Sequence, residues 1–263
     1  MTRIQEKFRQ VHQEGRGAFI PYITLGDPNL EGTRQIILEL QAAGADLIEL
    51  GVPFSDPLAD GLVIQRATER SLQHGFTLGK GLALVSEIRQ QIQVPLVLFS
   101  YYNPLFAHGF ENLVQEAKAL GIDGFLITDL SVEEAEGPVK MLREAEIDSI
   151  FLAAPTSNEE RIKKIAAYSS GFIYAVSRMG VTGTQESVSD EVQSLVKRIR
   201  RHSMLPVVVG FGISEPEHVQ QIWRQAEGVV VGSAIVRCIE QNLEEPDLAK
   251  RVGKFARWLK GGS

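Results

Sequence analysis

Three acidic side chains stand close together in the stretch Leu47-Ile-Glu-Leu-Gly-Val-Pro-Phe-Ser-Asp-Pro-Leu-Ala-Asp-Gly61: Glu49, Asp56 and Asp60. Glu49 interrupts an apolar run. A carboxylate there loses water, and unless it is paired its pKa climbs toward the range useful for proton transfer. Two readings are open for it. One is a structural glutamate satisfied by an arginine or by backbone amides; the other is an acid/base group. Asp56 before Pro57 fits a turn former. Asp60 before Gly61 fits a turn too, or it is the second carboxylate of a pair whose different environments allow different roles.

Three glycine-containing stretches lie later in the chain: Ser177-Arg-Met-Gly-Val-Thr-Gly183, Gly210-Phe-Gly-Ile-Ser214 and Gly232-Ser-Ala-Ile-Val236. Glycine lets backbone amides approach a phosphate closely, and Gly232-Ser233 opens a helical pattern whose N-terminus attracts anions. Any one of them is equally a plain turn. Together, after successive strands, they point to phosphate binding. None is a G-x-G-x-x-G or Walker pattern, which argues against a nucleotide. No lysine lies in or just after a strand-like run, so Schiff-base chemistry lacks its nucleophile. His12, His74, His108, His202 and His218 have no metal-ligand spacing, and no metal site is expected. Cys238 sits in a helical pattern and reads as packing.

Eight apolar or β-branched runs must position these groups: 19–24, 46–50, 96–100, 124–128, 150–153, 172–176, 205–209 and 228–231. They are nearly continuous hydrophobics, as strands buried on both faces require. Helical patterns separate them. Phe110, Leu113, Val114 and Ala117 repeat at helical spacing before Gly121, and so do Val192, Leu195, Val196 and Ile199. Ser157 with Glu160, and Ser214 with Glu217, have the spacing of capping boxes. Strand and helix alternating eight times predict an α/β protein, a (β/α)8 TIM barrel. Ile4, Phe8 and Val11 predict an extra N-terminal helix that plugs the barrel bottom. Pro21 inside the first run predicts a bend or lost pairing. The long gap after the second strand holds the acidic loop and two helical stretches, near 63–72 and 78–92. Such an insertion belongs at the C-terminal face, where barrel active sites sit.

The chain of 263 residues, 44% apolar, suits one barrel, and no Pro/Gly/Ser-rich boundary divides it; residues 1–263 read as a single domain. A net charge of −6 argues against nucleic acid. One cysteine allows no internal disulfide and fits a reducing compartment. No signal-like N-terminus and no membrane-spanning run stand out, so a cytoplasmic location away from membranes is expected.

The motif from Glu49 to Gly61 resembles the signature of the tryptophan synthase α subunit family. Ala18-Phe-Ile-Pro-Tyr-Ile-Thr-Leu-Gly-Asp-Pro28, Ser100-Tyr-Tyr-Asn-Pro104, Ala154-Pro-Thr156 and the three glycine stretches match in order, over nearly the whole chain. The resemblance implies a lyase of tryptophan biosynthesis that splits indole-3-glycerol phosphate into indole and glyceraldehyde 3-phosphate. It implies Glu49 as the proton shuttle and Asp60 as the acceptor for the ring N–H. It places the phosphate at Gly183, Gly212, Gly232 and Ser233, and the indole among Tyr22, Tyr101, Leu126 and Phe211. It makes Thr182, with Arg178, part of a lid that closes over Asp60. It also implies docking to a β subunit in an α2β2 complex, with pyridoxal phosphate only in that partner and no cofactor in this chain. Leu62 and the pair Ser131-Val132 stand where the family usually has prolines, the second pair near the usual β contact. That departure leaves room for a lyase acting alone; a weakly catalytic subunit that activates its β partner is a further alternative, which the presence of both Glu49 and Asp60 argues against. A generic sugar-phosphate isomerase needs less than the full acidic motif.

Overall fold

The computed structural model describes residues 1–176, 185–210 and 212–261. Among them the chain runs α1 (Arg3–Gln13), β1 (Ala18–Thr24), α2 (Leu30–Ala42), β2 (Ile48–Gly51), α3 (Leu62–Gln73), α4 (Leu78–Ile88), β3 (Leu96–Ser100), α5 (Tyr102–His108), α6 (Phe110–Leu120) and β4 (Gly124–Ile127). It continues α7 (Glu136–Glu144), β5 (Asp148–Ile150), β6 (Leu152–Ala153), α8 (Glu159–Tyr168), β7 (Ile173–Val176), α9 (Gln185–Arg200), β8 (Val207–Gly210), α10 (Pro216–Trp223), β9 (Gly228–Val231), α11 (Ser233–Gln241) and α12 (Leu248–Leu259).

Every described strand pair is parallel, in the order β5-β4-β3-β2-β1-β9-β8-β7-β6. The two edge strands are consecutive in the chain. Only Phe151 parts them, and its carbonyl accepts the Tyr174 N–H at 3.1 Å. They are two pieces of one fifth strand, and the sheet curls into a barrel of eight staves. That strand starts at Asp148, two residues before the expected Ile150, and breaks at Phe151.

Period-two alternation sorts the side chains. Phe19, Ile23, Ile48, Leu50 and Leu98 pack outward against the helices, while Ile20, Leu47, Val97, Leu126, Val208 and Val230 fill the barrel. Ile4, Phe8 and Val11 of α1 belong to the inner group and close its bottom. Phe8 meets Phe172 with ring centroids 5.7 Å apart. Each such side chain contributes about 1.5–3 kcal/mol by leaving water. A capping box of Thr2 and Gln5 starts α1.

Some local expectations change. The cap of α8 is Asn158, whose side chain accepts from Arg161 N–H at 2.8 Å; Ser157 instead receives the Ala154 N–H at 3.1 Å. At α10 the N-cap is Glu215 without a side-chain bond, and Pro216 takes the first turn, so Ser214 and Glu217 form no box. Pro21 leaves β1 unbroken. The register with β9 ends at Pro21, and the register with β2 starts at Tyr22. The Phe19 carbonyl already accepts the Asp46 N–H at 2.9 Å, so the β2 side is engaged before Pro21 and its paired register begins just past the residue that lacks a donor. Among the described residues no helix is long and apolar enough to cross a membrane.

Candidate active site

Glu49 takes its place from β2. Leu47 faces the barrel interior, so Glu49, two residues on, faces it one layer higher. Its side chain is 0% exposed, and neither carboxylate oxygen has a hydrogen-bond partner among the described residues. Burial alone lifts its pKa from an ordinary 4.5 to about 8. The structural reading, a glutamate satisfied by an arginine or by amides, has no counterpart among these residues.

Asp60 follows on the loop before α3. Its N–H donates to Pro57 carbonyl at 3.0 Å, and its own carbonyl receives Gln65 Nε2 at 2.8 Å. Burial raises its carboxyl to about 6, while the Tyr101 hydroxyl donating to it pulls the other way. Tyr101 also accepts the Ala59 N–H at 2.9 Å and leans on Phe54, 5.3 Å between ring centroids. Asp56 is exposed, and its carbonyl accepts from Leu58 N–H at 3.0 Å, as in a turn.

Both Glu49 and Asp60 line one cavity of about 740 Å³ at the C-terminal ends of the strands. That volume suits a small organic ligand. Tyr22 lines it too, edge-on to Phe99 at 5.2 Å. The Tyr22 hydroxyl lies where a Cβ on Gly51 would stand, so glycine is required at the end of β2. Burial first, then the Asp60 charge, keeps the Tyr22 proton on well above its usual range.

On the wall two staves from β2, past the Tyr22 strand, Gly232 and Ser233 open α11 into the same cavity, with no side chain capping the helix. Val236 N–H to Gly232 carbonyl, 3.0 Å, closes the first turn and leaves the earlier amides free for an anion. Gly212 joins this wall in a left-handed conformation, φ 70°.

The structure separates other residues named from sequence. Tyr101 stands behind Asp60 rather than on the cavity wall. Leu126 is fully buried in the barrel interior, below Thr128, which does reach the cavity. Gly183, Thr182, Arg178 and Phe211 lie outside the described residues. Ser131 and Val132 follow β4 and the turn after it: Ser131 Oγ donates to Glu134 at 3.0 Å, and Val132 is buried.

Other lining residues escaped the sequence reading. Tyr174 lines the cavity, and its hydroxyl fills the place of a Cβ on Gly210. Burial and the Glu49 charge hold its proton on. In the run 172–176 it looks like one more core aromatic. Arg237 reaches the cavity from α11; its spacing of four from Ser233, one helical face, was the available signal.

The model of the family "Tryptophan synthase alpha chain" matches residues 8–260. The chain belongs to this family. The tryptophan synthase alpha chain of Solibacter usitatus is 51% identical over 100% of this chain and 98% of its own, and that of Geotalea uraniireducens 50% over the same shares. Among solved structures, tryptophan synthase subunit alpha of Legionella pneumophila superposes with a TM-score of 0.91 at 33% identity, covering 99% of this chain and 98% of that one. A chain from the tryptophan synthase a2b2 complex of Pyrococcus furiosus gives 0.87 at 41% identity over 94% and 98%. Tryptophan synthase alpha chains are lyases that cleave indole-3-glycerol phosphate, and these are TIM barrels like this one.

Proposed function

We infer that this chain cleaves indole-3-glycerol phosphate to indole and glyceraldehyde 3-phosphate with Glu49 and Asp60 as its acid/base pair. The observation that carries the assignment of roles is Glu49: wholly buried, without a partner among the described residues, and facing a cavity it shares with a second carboxylate. With a pKa of about 8, Glu49 holds a proton at neutral pH. It therefore acts first as an acid and gives that proton to C3 of the indole ring. Asp60, ionised above about 6, accepts the ring N–H as positive charge develops. Glu49, now a carboxylate, takes the proton of the side-chain hydroxyl. The hydroxyl oxygen becomes the aldehyde, the carbon–carbon bond breaks, and its electron pair returns to the ring, restoring indole. Glu49 ends protonated, as it began, so the cycle closes.

The substrate's own protonated ring is the electron sink, and the reaction asks for no cofactor on this chain. The start of α11 with Gly212 would hold the phosphate, and Tyr22 and Phe99 would border the indole. Gly183, Phe211 and a lid with Thr182 and Arg178 are carried by the family resemblance alone. So is the β subunit, with its pyridoxal phosphate, in an α2β2 complex; the Pyrococcus furiosus relative comes from such an assembly. The cytoplasm is the expected location.

The test is cleavage of indole-3-glycerol phosphate by the full chain, with and without purified β subunit. Faster cleavage with β supports the complex, and equal rates support a lyase acting alone. No cleavage in either condition overturns the assignment.

A further inference from the structure

The two ends of the proposed substrate are served by two different helices. α3 begins directly after Asp60-Gly61, and Gln65 ties its first turn to the Asp60 carbonyl. α11 begins at Gly232-Ser233, on the phosphate side. A chain of four charged side chains joins them. Glu240, near the end of α11, receives Arg66 of α3 as a fork, Nε to Oε1 at 2.7 Å and Nη2 to Oε2 at 2.8 Å. Arg70, one turn further along α3, donates Nη1 to Glu240 Oε1 at 2.9 Å. Its Nε and Nη2 clasp Asp27 at 2.8 and 3.0 Å. The Asp27 side chain is 0% exposed and sits in the turn after β1, the strand that carries Tyr22. Beside it Ser71 Oγ donates to the Leu25 carbonyl at 2.6 Å.

Isolated surface ion pairs are worth little, but this chain is forked at two carboxylates and rooted in a buried one. Arg66, then Arg70, holds the Glu240 carboxyl down at about 2. Packing of α11 does not need it: Ile235, Val236 and Ile239 already bury the helix's apolar face. Apolar contacts are non-directional and leave a helix some freedom to slide. A forked guanidinium–carboxylate pair fixes both distance and angle.

We propose that Glu240 is a positioning residue for the cleavage: through Arg66 and Arg70 it fixes the phosphate-facing start of α11 relative to the loop that carries Asp60. This rests on the assignment of the reaction above. The two sites bind different parts of one molecule, so an error in their separation spoils the placement of C3 over Glu49 without weakening either site alone.

The full chain, Glu240→Gln and Arg66→Gln are compared, with β subunit present and absent. The readouts are kcat and KM for indole-3-glycerol phosphate, and the affinity for glycerol 3-phosphate, which engages the phosphate end only. For Glu240→Gln, kcat is expected to fall roughly 10- to 100-fold, the scale of a displacement near one ångström. The affinity for glycerol 3-phosphate is expected to stay within about twofold, since that ligand spans no second site. Glu240→Asp should recover part of the loss. Arg66→Gln, on the exposed side of the chain, should show the same pattern more weakly, and it decides the matter should Glu240→Gln fail to fold. Unchanged kcat per folded molecule overturns the proposal. So does loss of glycerol 3-phosphate binding in step with cleavage, because Glu240 would then merely shape the phosphate site. If the unaltered chain does not cleave the substrate at all, the assigned reaction fails, and this inference with it.

Discussion

At the bottom of the barrel Asp46 receives Arg16 through two nitrogens, at 2.6 and 2.8 Å, and the Phe19 N–H at 2.9 Å. Three residues further along the same segment, at the top, Glu49 receives nothing from the described residues. The contrast is general. Asp123 is forked by Arg3 at 2.7 and 2.9 Å and takes the Leu96 N–H at 2.8 Å; Asp148 takes the Thr2 hydroxyl at 2.6 Å. Burial raises both pKa values, and these partners work against it. Desolvation acts on carboxylates at either end of the barrel. Below, partners oppose it and tie α1 to the sheet, so these carboxylates serve the architecture. Above, it is left standing on one residue, and that residue holds its proton at neutral pH. A buried acid without partners is costly to the fold, and that cost is the ground on which the proposed reaction gives Glu49 its proton transfers.

The sharpest way to break this contrast is to neutralise each end in turn. Glu49→Gln should reduce cleavage at least about 10³-fold, since it removes both proton transfers. Its stability should not fall. The folded pKa of about 8 lies above the ordinary 4.5. The folded state therefore holds a proton that the unfolded state has lost, and stability from this group drains away as pH rises from 4.5 through 8. Glutamine removes that drain, so Tm should exceed that of the unaltered chain at pH 8 and match it near pH 4. A lower Tm at pH 8 would make Glu49 a structural residue.

Asp60→Asn comes next, with an expected loss of roughly 10²-fold. The pH profile sharpens the assignment. Cleavage should rise as Asp60 ionises through about 6 and fall as Glu49 loses its proton through about 8. Asp60→Asn should flatten the acid limb only. An acid limb that survives the substitution belongs to the substrate's phosphate, which titrates near pH 6.

Asp46→Asn should do the reverse of both. It leaves half-buried Arg16 with only the more exposed Glu14 as charge partner, and stability should fall by about 1.5–3 kcal/mol, the scale of a lost charged hydrogen bond. Turnover by the folded protein, measured well below Tm, should not change. A matching loss of kcat would show that the two ends of the barrel are coupled.

The barrel was legible because eight apolar runs alternate with helical patterns, and Glu49 was legible because it is the wrong kind of residue for such a run. The same density of apolar residues hid the rest of the wall. Phe99, Tyr174, Val176 and Val230 line the cavity, yet in strands covered on both faces the inward and outward positions look alike. Leu126 illustrates the converse: it points inward but lies one layer too deep. Which layer a residue occupies depends on stagger between strands, and no local pattern encodes that. Caps were misplaced by one residue at α8 and α10 because serine, asparagine and glutamate compete there, and only the loop's path decides among them. The clamp from Asp27 to Glu240 joins residues from opposite ends of the chain, beyond any spacing rule.

The smallest expected effect concerns Leu62, where the family usually has proline. Leu62 is the first residue of α3, 72% exposed, so its side chain contributes little packing. The first helical position is the one where proline costs no hydrogen bond, because its missing N–H has no intrahelical partner. The preceding residue must be extended, and Gly61 already is, at φ −74° and ψ 159°. Leu62→Pro should therefore stabilise the folded state by about 0.5 kcal/mol, through the unfolded chain's lost freedom. It also stiffens the joint between the Asp60 loop and α3. If loose placement of Asp60 limits the chain without its β partner, kcat should rise about twofold there and stay unchanged in the complex. A rise in Tm with no change in kcat would mean that Pro57, Tyr101 and Gln65 already hold Asp60 in place; a fall in Tm would mean that the Leu62 side chain packs in solution.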